Sequence, residues 1–488
     1  MDSKKRLLKV VCLFVFFQYL YTLNSFAQQQ DYYPDADTSV QRKLEEWKDL
    51  KFGLLMHWGP YSQWGVVESW SICPEDVGWA TGARIQKRPA DNYNTYVKDY
   101  ENLKTTFNPV KFNPEKWAAA ARDAGMKYVV FTTKHHDGFC MFDTKTTEYK
   151  ITGKDCPFST DSRSNVTKEI FNAFRSQQLW VGAYFSKPDW HSNDYWWNRF
   201  PPLDRNANYD IKKHPETWQK FVDFTHKQID ELMTGYGKID ILWLDGGWVR
   251  KKTEEQAKKD FIRYYDESHF SINGQNQDIN MPLLAKNARA KQPGLIVVDR
   301  DVPGEQQNYL TPEQHIPDNG LPYPWETCMT MASSWSYSPN DKYKSTEDLI
   351  KKLIDIVSKG GNYLLNIGPG PDGEWHDNAY LRLKEMGAWM KQNGTAIYGT
   401  RMYKVFGEGD NVRYTQTKDG KTKYVFLFGF PDKTIVLNKL ELTKDSNLQL
   451  IGTNQKLLWK KTDAGIEISV PQHLRSSSSY VWVLKVQG

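Results

Sequence analysis

The chain has 488 residues and a formal net charge of +5, from 64 Lys and Arg against 59 Asp and Glu. So near a balance, with no long basic run, argues against a nucleic-acid-binding protein, and a charged fraction of 25% argues against wholesale disorder. The length accommodates two or three domains, or one large barrel with an accessory module.

The first element is a targeting segment. Lys4, Lys5 and Arg6 form a positive start, and Leu7 to Leu23 is mostly apolar but broken by Lys9 and Gln18. Ser25-Phe26-Ala27 then reads as a small-x-small cleavage site. Residues 1–27 are therefore expected to be a signal peptide, with the mature chain exported to the periplasm or the extracellular space. The uninterrupted apolar run is too short to span a bilayer, and no later run is long enough, so no membrane span is expected after cleavage. Beyond the segment lie Cys73, Cys140, Cys156 and Cys328, too few for a disulfide scaffold and without zinc-site spacing.

A first helix is expected before residue 50. Then short apolar runs alternate with longer stretches of helical period. The predicted strands are Phe52–His57, Tyr128–Thr133, Trp180–Phe185, Ile239–Leu244, Leu295–Val298 and Tyr363–Ile367, with a weaker candidate near Trp325. The predicted helices lie near 114–124, 167–178, 214–234, 280–291, 346–359 and 377–393. The strands show no polar alternation, as expected of strands buried on both faces. Repeated strand–helix units predict an α/β chain with a (β/α)8-like (TIM-type) barrel over residues 28–397. A doubly wound sheet is the alternative, but no Gly-rich phosphate loop follows the first strand. From 398 to 488 short strands with Asp419-Gly420 and Asp463-Ala464-Gly465 turns predict an all-β sandwich.

In parallel barrels the functional groups gather at the C-terminal ends of the strands. Those ends carry His57-Trp58-Gly59, Lys134-His135-His136-Asp137, Pro188-Asp189-Trp190, Trp243-Leu244-Asp245-Gly246-Gly247-Trp248 and Asp299-Arg300-Asp301. Together with 19 Trp, 27 Tyr and 23 Phe, 14% of the chain, they suit a polyol pocket, although aromatics also serve as core filler. Asp245 ends an apolar strand, and two glycines after it let a ligand approach. Its carboxylate is placed to attack a sugar carbon, the structural alternative being a helix cap. A retaining glycosidase needs a second carboxyl about 5 Å away. Glu313, Glu305, Asp299 and Asp301 are the candidates after the fifth strand. Glu326 is expected to make a structural hydrogen bond, and the Asp372-Gly373 turn to shape the pocket rim. His57, His135 and His136 suit hydroxyl binding better than a metal, because an adjacent His pair on a continuing strand points both ways. No Gly-x-Ser-x-Gly elbow is present, and Cys328 has no visible base.

Five blocks carry a family resemblance. They are 51–59 (Lys-Phe-Gly-Leu-Leu-Met-His-Trp-Gly), 133–139 (Thr-Lys-His-His-Asp-Gly-Phe), 242–245 (Leu-Trp-Leu-Asp), 325–328 (Trp-Glu-Thr-Cys) and 361–369 (Gly-Asn-Tyr-Leu-Leu-Asn-Ile-Gly-Pro). In this order they resemble the α-L-fucosidases of glycoside hydrolase family 29. The resemblance implies retaining hydrolysis of terminal α-L-fucose from an oligosaccharide or glycoconjugate, without metal or cofactor. It puts Asp245 at the nucleophile position and His57, His135 and His136 on fucose hydroxyls. It also places Trp243, Tyr184, Arg300, Glu68 and Trp70 in the pocket, and Trp335 against the C5 methyl, with Ser69 standing where many members carry an aromatic. Glu313 aligns best with the acid/base of some members, while Asp299 and Glu305 are rivals. Another retaining glycosidase such as an α-galactosidase, or a non-catalytic fucose-binding barrel, is the alternative activity. Self-association into a homo-oligomer is compatible with all of these.

Overall fold

The computed structural model describes residues 32–74, 92–264, 275–453 and 455–488, so the expected signal peptide lies outside the described residues. Seven strands form one parallel sheet: β1 (Phe52–Met56), β2 (Tyr128–Lys134), β3 (Trp180–Ser186), β4 (Ile241–Asp245), β5 (Ile296–Asp299), β6 (Glu326–Thr330) and β7 (Asn362–Ile367). Their order is β5-β4-β3-β2-β1-β7-β6, and almost every residue in them is buried, as two-sided burial requires. No ladder joins β5 to β6 among the described residues. The chain after β5 fills that place as an irregular segment. It bridges antiparallel to β5 at Val298–Gln307 and parallel to β6 at Leu310–Trp325 and Glu313–Cys328. The barrel is thus (β/α)8-like, with seven regular strands and irregular chain in the eighth position.

Around the sheet lie α1 (Thr38–Leu50), α2 (Tyr93–Asn102), α3 (Pro114–Asp123), α4 (Val166–Ser176), α5 (Pro215–Gly235), α6 (Glu254–Tyr264), α7 (Met281–Lys291), α8 (Thr346–Ser358) and α9 (Asp377–Asn393). Caps account for several starts: Asp37 accepts from Ser39 N at 2.8 Å, Asn113 from Lys116 N at 2.9 Å, and Ser345 from Asp348 N at 3.1 Å. Helix α1 buries Val40, Leu44 and Trp47, one helical face at spacings of four and three. Trp47 stacks on Tyr309 with ring centres 4.1 Å apart and joins the inner barrel cluster of Leu55, Val130, Ile241, Ile296 and Leu364.

The strand ends differ from expectation by one or two residues. Asp240, predicted inside the fourth strand, instead accepts from Lys43 Nζ at 2.6 Å and from Val181 N at 3.0 Å. The strand gains Asp245 at its other end. Beyond α9 the sheets become antiparallel. β8 (Thr400–Glu408), β9 (Val412–Thr417), β10 (Thr422–Leu427), β12 (Asn447–Leu450) and β15 (Trp482–Gln487) form one, and β11 (Thr434–Leu437), β13 (Trp459–Thr462) and β14 (Gly465–Ser469) the other. Both predicted hairpin turns occur, β9–β10 across Asp419-Gly420 and β13–β14 across Asp463-Ala464. The sheets share one core around Val425, Leu450, Ile468 and Leu484, and Trp389 of α9 donates to Val481 O at 3.0 Å.

Candidate active site

A cavity of about 610 Å³ opens at the C-terminal ends of the barrel strands. His57 follows β1, His135 and His136 follow β2, Tyr184 and Trp243 come from β3 and β4, and Asp245 ends β4. Arg300, Glu313 and Trp335 come from the chain after β5 and β6, and Glu68 and Trp70 from a short helix after β1. All eleven residues named from the sequence line this cavity. β2 stops at Lys134, so the two adjacent histidines do not alternate; their rings lie 4.3 Å apart and both face the cavity.

Asp245 is the centre of the hydrogen bonding. Its Oδ2 accepts from Tyr184 Oη at 2.6 Å, and its Oδ1 accepts from Gly246 N at 2.8 Å and Arg300 Nη1 at 3.2 Å. Gly246 has φ +90°, and a Cβ there would lie 2.3 Å from Pro188 Cδ, so the turn that aims Asp245 requires glycine. Burial alone would raise the Asp245 carboxyl. The Arg300 charge and the Tyr184 hydrogen bond outweigh it and hold the group well below the usual carboxylate range. Asp245 is therefore an oriented anion, a form suited to nucleophilic attack.

Arg300 also binds the second carboxylate, donating from Nη2 to Glu313 Oε2. Its guanidinium lies over the Trp243 ring, 5.1 Å from the centre. One planar cation thus holds Asp245 and Glu313 together. Glu313 is the more open of the two, with 41% of its side chain exposed against 15% for Asp245. The rivals lie elsewhere. Asp299 is buried in an ion pair with Lys187 and is absent from the cavity wall. Glu305 is exposed and also does not line it. Asp301 does, at the mouth.

The histidines are buried and neutral. Burial pushes His57 and His136 down to about 4, and His135 well below its ordinary value. His57 Nδ1 meets Asn366 Oδ1 at 2.8 Å, His136 Nδ1 meets Ser186 Oγ at 2.7 Å, and His135 Nδ1 bonds Ser69 Oγ. Glu68 holds the positive φ of +33° by accepting from Ser336 N at 2.7 Å, which fixes the turn that carries Ser69 and Trp70. The Trp335 and His57 rings are 5.2 Å apart and line one wall. His135, His136 and Asp245 offer ligand atoms within 4.8 Å of one another. Three such groups are enough for a cation, but the Arg300 charge bound to Asp245 opposes a second positive charge there.

Residues 19–395 match the family model for alpha-L-fucosidase, and residues 408–487 match the one for the alpha-L-fucosidase C-terminal domain. The chain belongs to the alpha-L-fucosidase family. It is 28% identical to the human tissue alpha-L-fucosidase over 476 residues, covering 94% of this chain and 92% of that protein. Among solved structures it is similar to alpha-L-fucosidase isoenzyme 1 from Paenibacillus thiaminolyticus, at 27% identity and TM-score 0.71, over 92% of this chain and 99% of that one. It is also similar to the Thermotoga maritima alpha-fucosidase in complex with a mechanism based inhibitor, at 27% identity and TM-score 0.69, over 94% and 100%. The chain is accordingly a glycoside hydrolase with α-L-fucosidase activity.

Other parts of this fucosidase pocket escaped the sequence reading. Arg205, Asn206 and Lys252 also line the cavity. The Arg205 guanidinium sits 4.7 Å from the Trp70 ring centre and 5.1 Å from that of Trp248. They lie on long connections after β3 and β4, where no strand-end rule applies. Cys328 is in the wall, but burial pushes its thiol well up, which removes it as a nucleophile. The Asp372-Gly373 turn does not line the fucosidase cavity. It packs outward instead, with Asp372 O accepting from Lys111 N at 2.8 Å.

Proposed function

We propose that the chain is an exported, retaining exo-α-L-fucosidase in which Asp245 is the nucleophile and Glu313 the acid/base. The observation that carries the reading is the shared guanidinium: Arg300 binds both carboxylates at the C-terminal mouth of the barrel. That pairing supports the close carboxyl spacing of a retaining enzyme, about 5–5.5 Å, over the wider inverting one. With substrate bound, Glu313 leaves Arg300, takes up a proton from solvent and turns to the glycosidic oxygen; Asp245 attacks the anomeric carbon as Glu313 gives that proton to the departing oxygen. A fucosyl ester forms on Asp245. Glu313 then takes a proton from water, which cleaves the ester and releases fucose with its configuration retained. Arg300 and Tyr184 stay on Asp245 throughout and stabilise its charge as it is regenerated.

The mechanism based inhibitor held by the Thermotoga maritima relative supports this chemistry. The openness of Glu313 suits a group that must meet both a leaving glycan and water. Export rests on the Lys4–Ala27 pattern. Among the described residues no helix is long and apolar enough to cross a membrane.

Asp245→Gly is expected to lose nearly all turnover of an aryl α-L-fucoside, with azide restoring part of it as the azide adduct of inverted configuration. Near-wild-type turnover by that variant would remove Asp245 as nucleophile. Glu313→Ala is expected to slow fucosides with poor leaving groups far more than activated ones. If Glu305→Ala or Asp299→Ala shows that profile and Glu313→Ala does not, the acid/base role moves. N-terminal sequencing of the secreted protein checks export, and a mature chain beginning at Met1 contradicts it.

A further inference from the structure

Each of the three pocket histidines commits Nδ1 to a partner behind the cavity wall. A neutral imidazole has one N–H and one lone pair, so the bond made at Nδ1 dictates what Nε2 offers. We propose that Ser69, Ser186 and Asn366 set the tautomers of His135, His136 and His57, so that His135 offers the sugar a hydrogen-bond donor while His57 and His136 offer acceptors. The inference rests on reading this pocket as the fucosyl site, and its ligand is the set of ring hydroxyls of that sugar.

Counting protons gives each assignment. Asn366 Nδ2 donates to Trp335 O at 2.7 Å, so the amide atom facing His57 is the oxygen, which only accepts. His57 therefore carries its proton on Nδ1 and a lone pair on Nε2. Ser186 has a single hydroxyl hydrogen and gives it to Pro188 O at 2.7 Å. Its oxygen must then accept from His136 Nδ1, which leaves His136 Nε2 bare. That atom lies 3.8 Å from Asp245 Oδ2, beyond hydrogen-bonding distance. Two acceptors facing each other at that separation suit an O–H that approaches between them.

At Ser69 the count runs in the opposite sense. Its oxygen already accepts from Asp137 N at 3.0 Å, which frees the hydroxyl hydrogen to point at His135 Nδ1. If Nδ1 were protonated instead, the hydroxyl hydrogen of a fully buried serine would have no acceptor among the described residues. His135 therefore carries its proton on Nε2. Burial keeps all three rings neutral near pH 7, so these tautomers persist under assay conditions. The pocket then shows the sugar an acceptor, a donor and an acceptor. A hydroxyl both donates and accepts, so this pattern orients the hydroxyl hydrogens. A site built in this way rejects an analogue that lacks one of them, because a buried polar group is left unpaired.

The test is nitrogen NMR on the full chain labelled with 15N-histidine at pH 7, with signals assigned through single His→Gln variants. The expected spectrum has the His135 proton on Nε2 and the His57 and His136 protons on Nδ1. A proton on Nδ1 of His135, or on Nε2 of either of the others, overturns the assignment. Ser69→Ala is expected to give His135 a mixture of tautomers and to lower kcat/KM on an aryl α-L-fucoside about five- to tenfold, the worth of one hydrogen bond. That loss should disappear on the one monodeoxy fucoside that lacks the hydroxyl bound by His135. An unchanged His135 signal in Ser69→Ala overturns the role of Ser69. Expected tautomers in a wild-type protein that turns over no α-L-fucoside would overturn the fucosyl reading and leave the tautomers standing.

Discussion

Glu326 gives the sharpest quantitative prediction. It heads β6 with its side chain wholly buried inside the barrel. Its Oε2 accepts from Tyr128 Oη at 2.5 Å and its Oε1 from Trp243 Nε1 at 3.3 Å. Tyr128 reaches inward because residue 53 is glycine; a Cβ there would lie 2.4 Å from the tyrosine ring. Burial raises the Glu326 carboxyl from 4.5 to about 7, against the pull of its donors. Between those values the folded protein keeps a proton that the unfolded chain has released. Stability therefore falls as pH rises through this window. At 1.36 kcal/mol per pH unit, the gap from 4.5 to about 7 comes to about 3 kcal/mol. Glu326→Gln is neutral at every pH and close in shape. It is expected to match the wild type near pH 4.5 and to exceed it by about 3 kcal/mol above pH 7. Urea unfolding of both proteins at pH 4.5 and 7.5 measures this difference. An infrared titration of the protonated-carboxyl stretch that the variant lacks places the ionisation directly. The same stability gap at both pH values, or a Glu326 already ionised at pH 5.5, would refute the reasoning.

Two further outcomes concern the site itself. Tyr184→Phe removes the 2.6 Å bond to Asp245 Oδ2 while keeping the ring stacked on Trp243 at 5.2 Å. A hydrogen bond to a charged group is worth about 1.5–3 kcal/mol, so kcat/KM should fall about 10- to 100-fold with little change in thermal midpoint; a loss below twofold contradicts the role. His57 and His136 bind protons only near pH 4, whereas unfolded histidines do so near 6.5. The unfolded state thus binds more protons between those values, and stability declines as pH falls from 6.5 to 4. For the same reason the acid limb of kcat/KM should lie near pH 4, and a limb at 6–7 that vanishes in His57→Gln would show that His57 is not held neutral.

The sequence by itself determined the barrel, the all-β character of the C-terminal part and the strand-end part of the cavity wall. Apolar runs such as Ile241–Leu244 encode burial on both faces locally, and the rule that parallel-barrel sites lie at strand ends turns each terminal polar residue into a candidate. Asp245, with two glycines behind it, was legible for that reason. Strand β6 was only faintly legible. It reads Glu-Thr-Cys-Met-Thr, and its buried carboxyl is tolerated because Tyr128 and Trp243 arrive from other strands. In β8 and β9 polar residues hide the alternation that marks a strand. Tertiary structure alone decided that Glu313 meets Arg300 while Glu305, eight residues earlier, faces outward. That choice depends on how irregular chain fills the gap between β5 and β6. It also decided the partners of the histidines, because Ser69, Ser186 and Asn366 reach them from separate parts of the chain. Periodicity records how buried one segment is, whereas the path of a loop and the meeting of distant side chains are set by contacts that no local pattern contains.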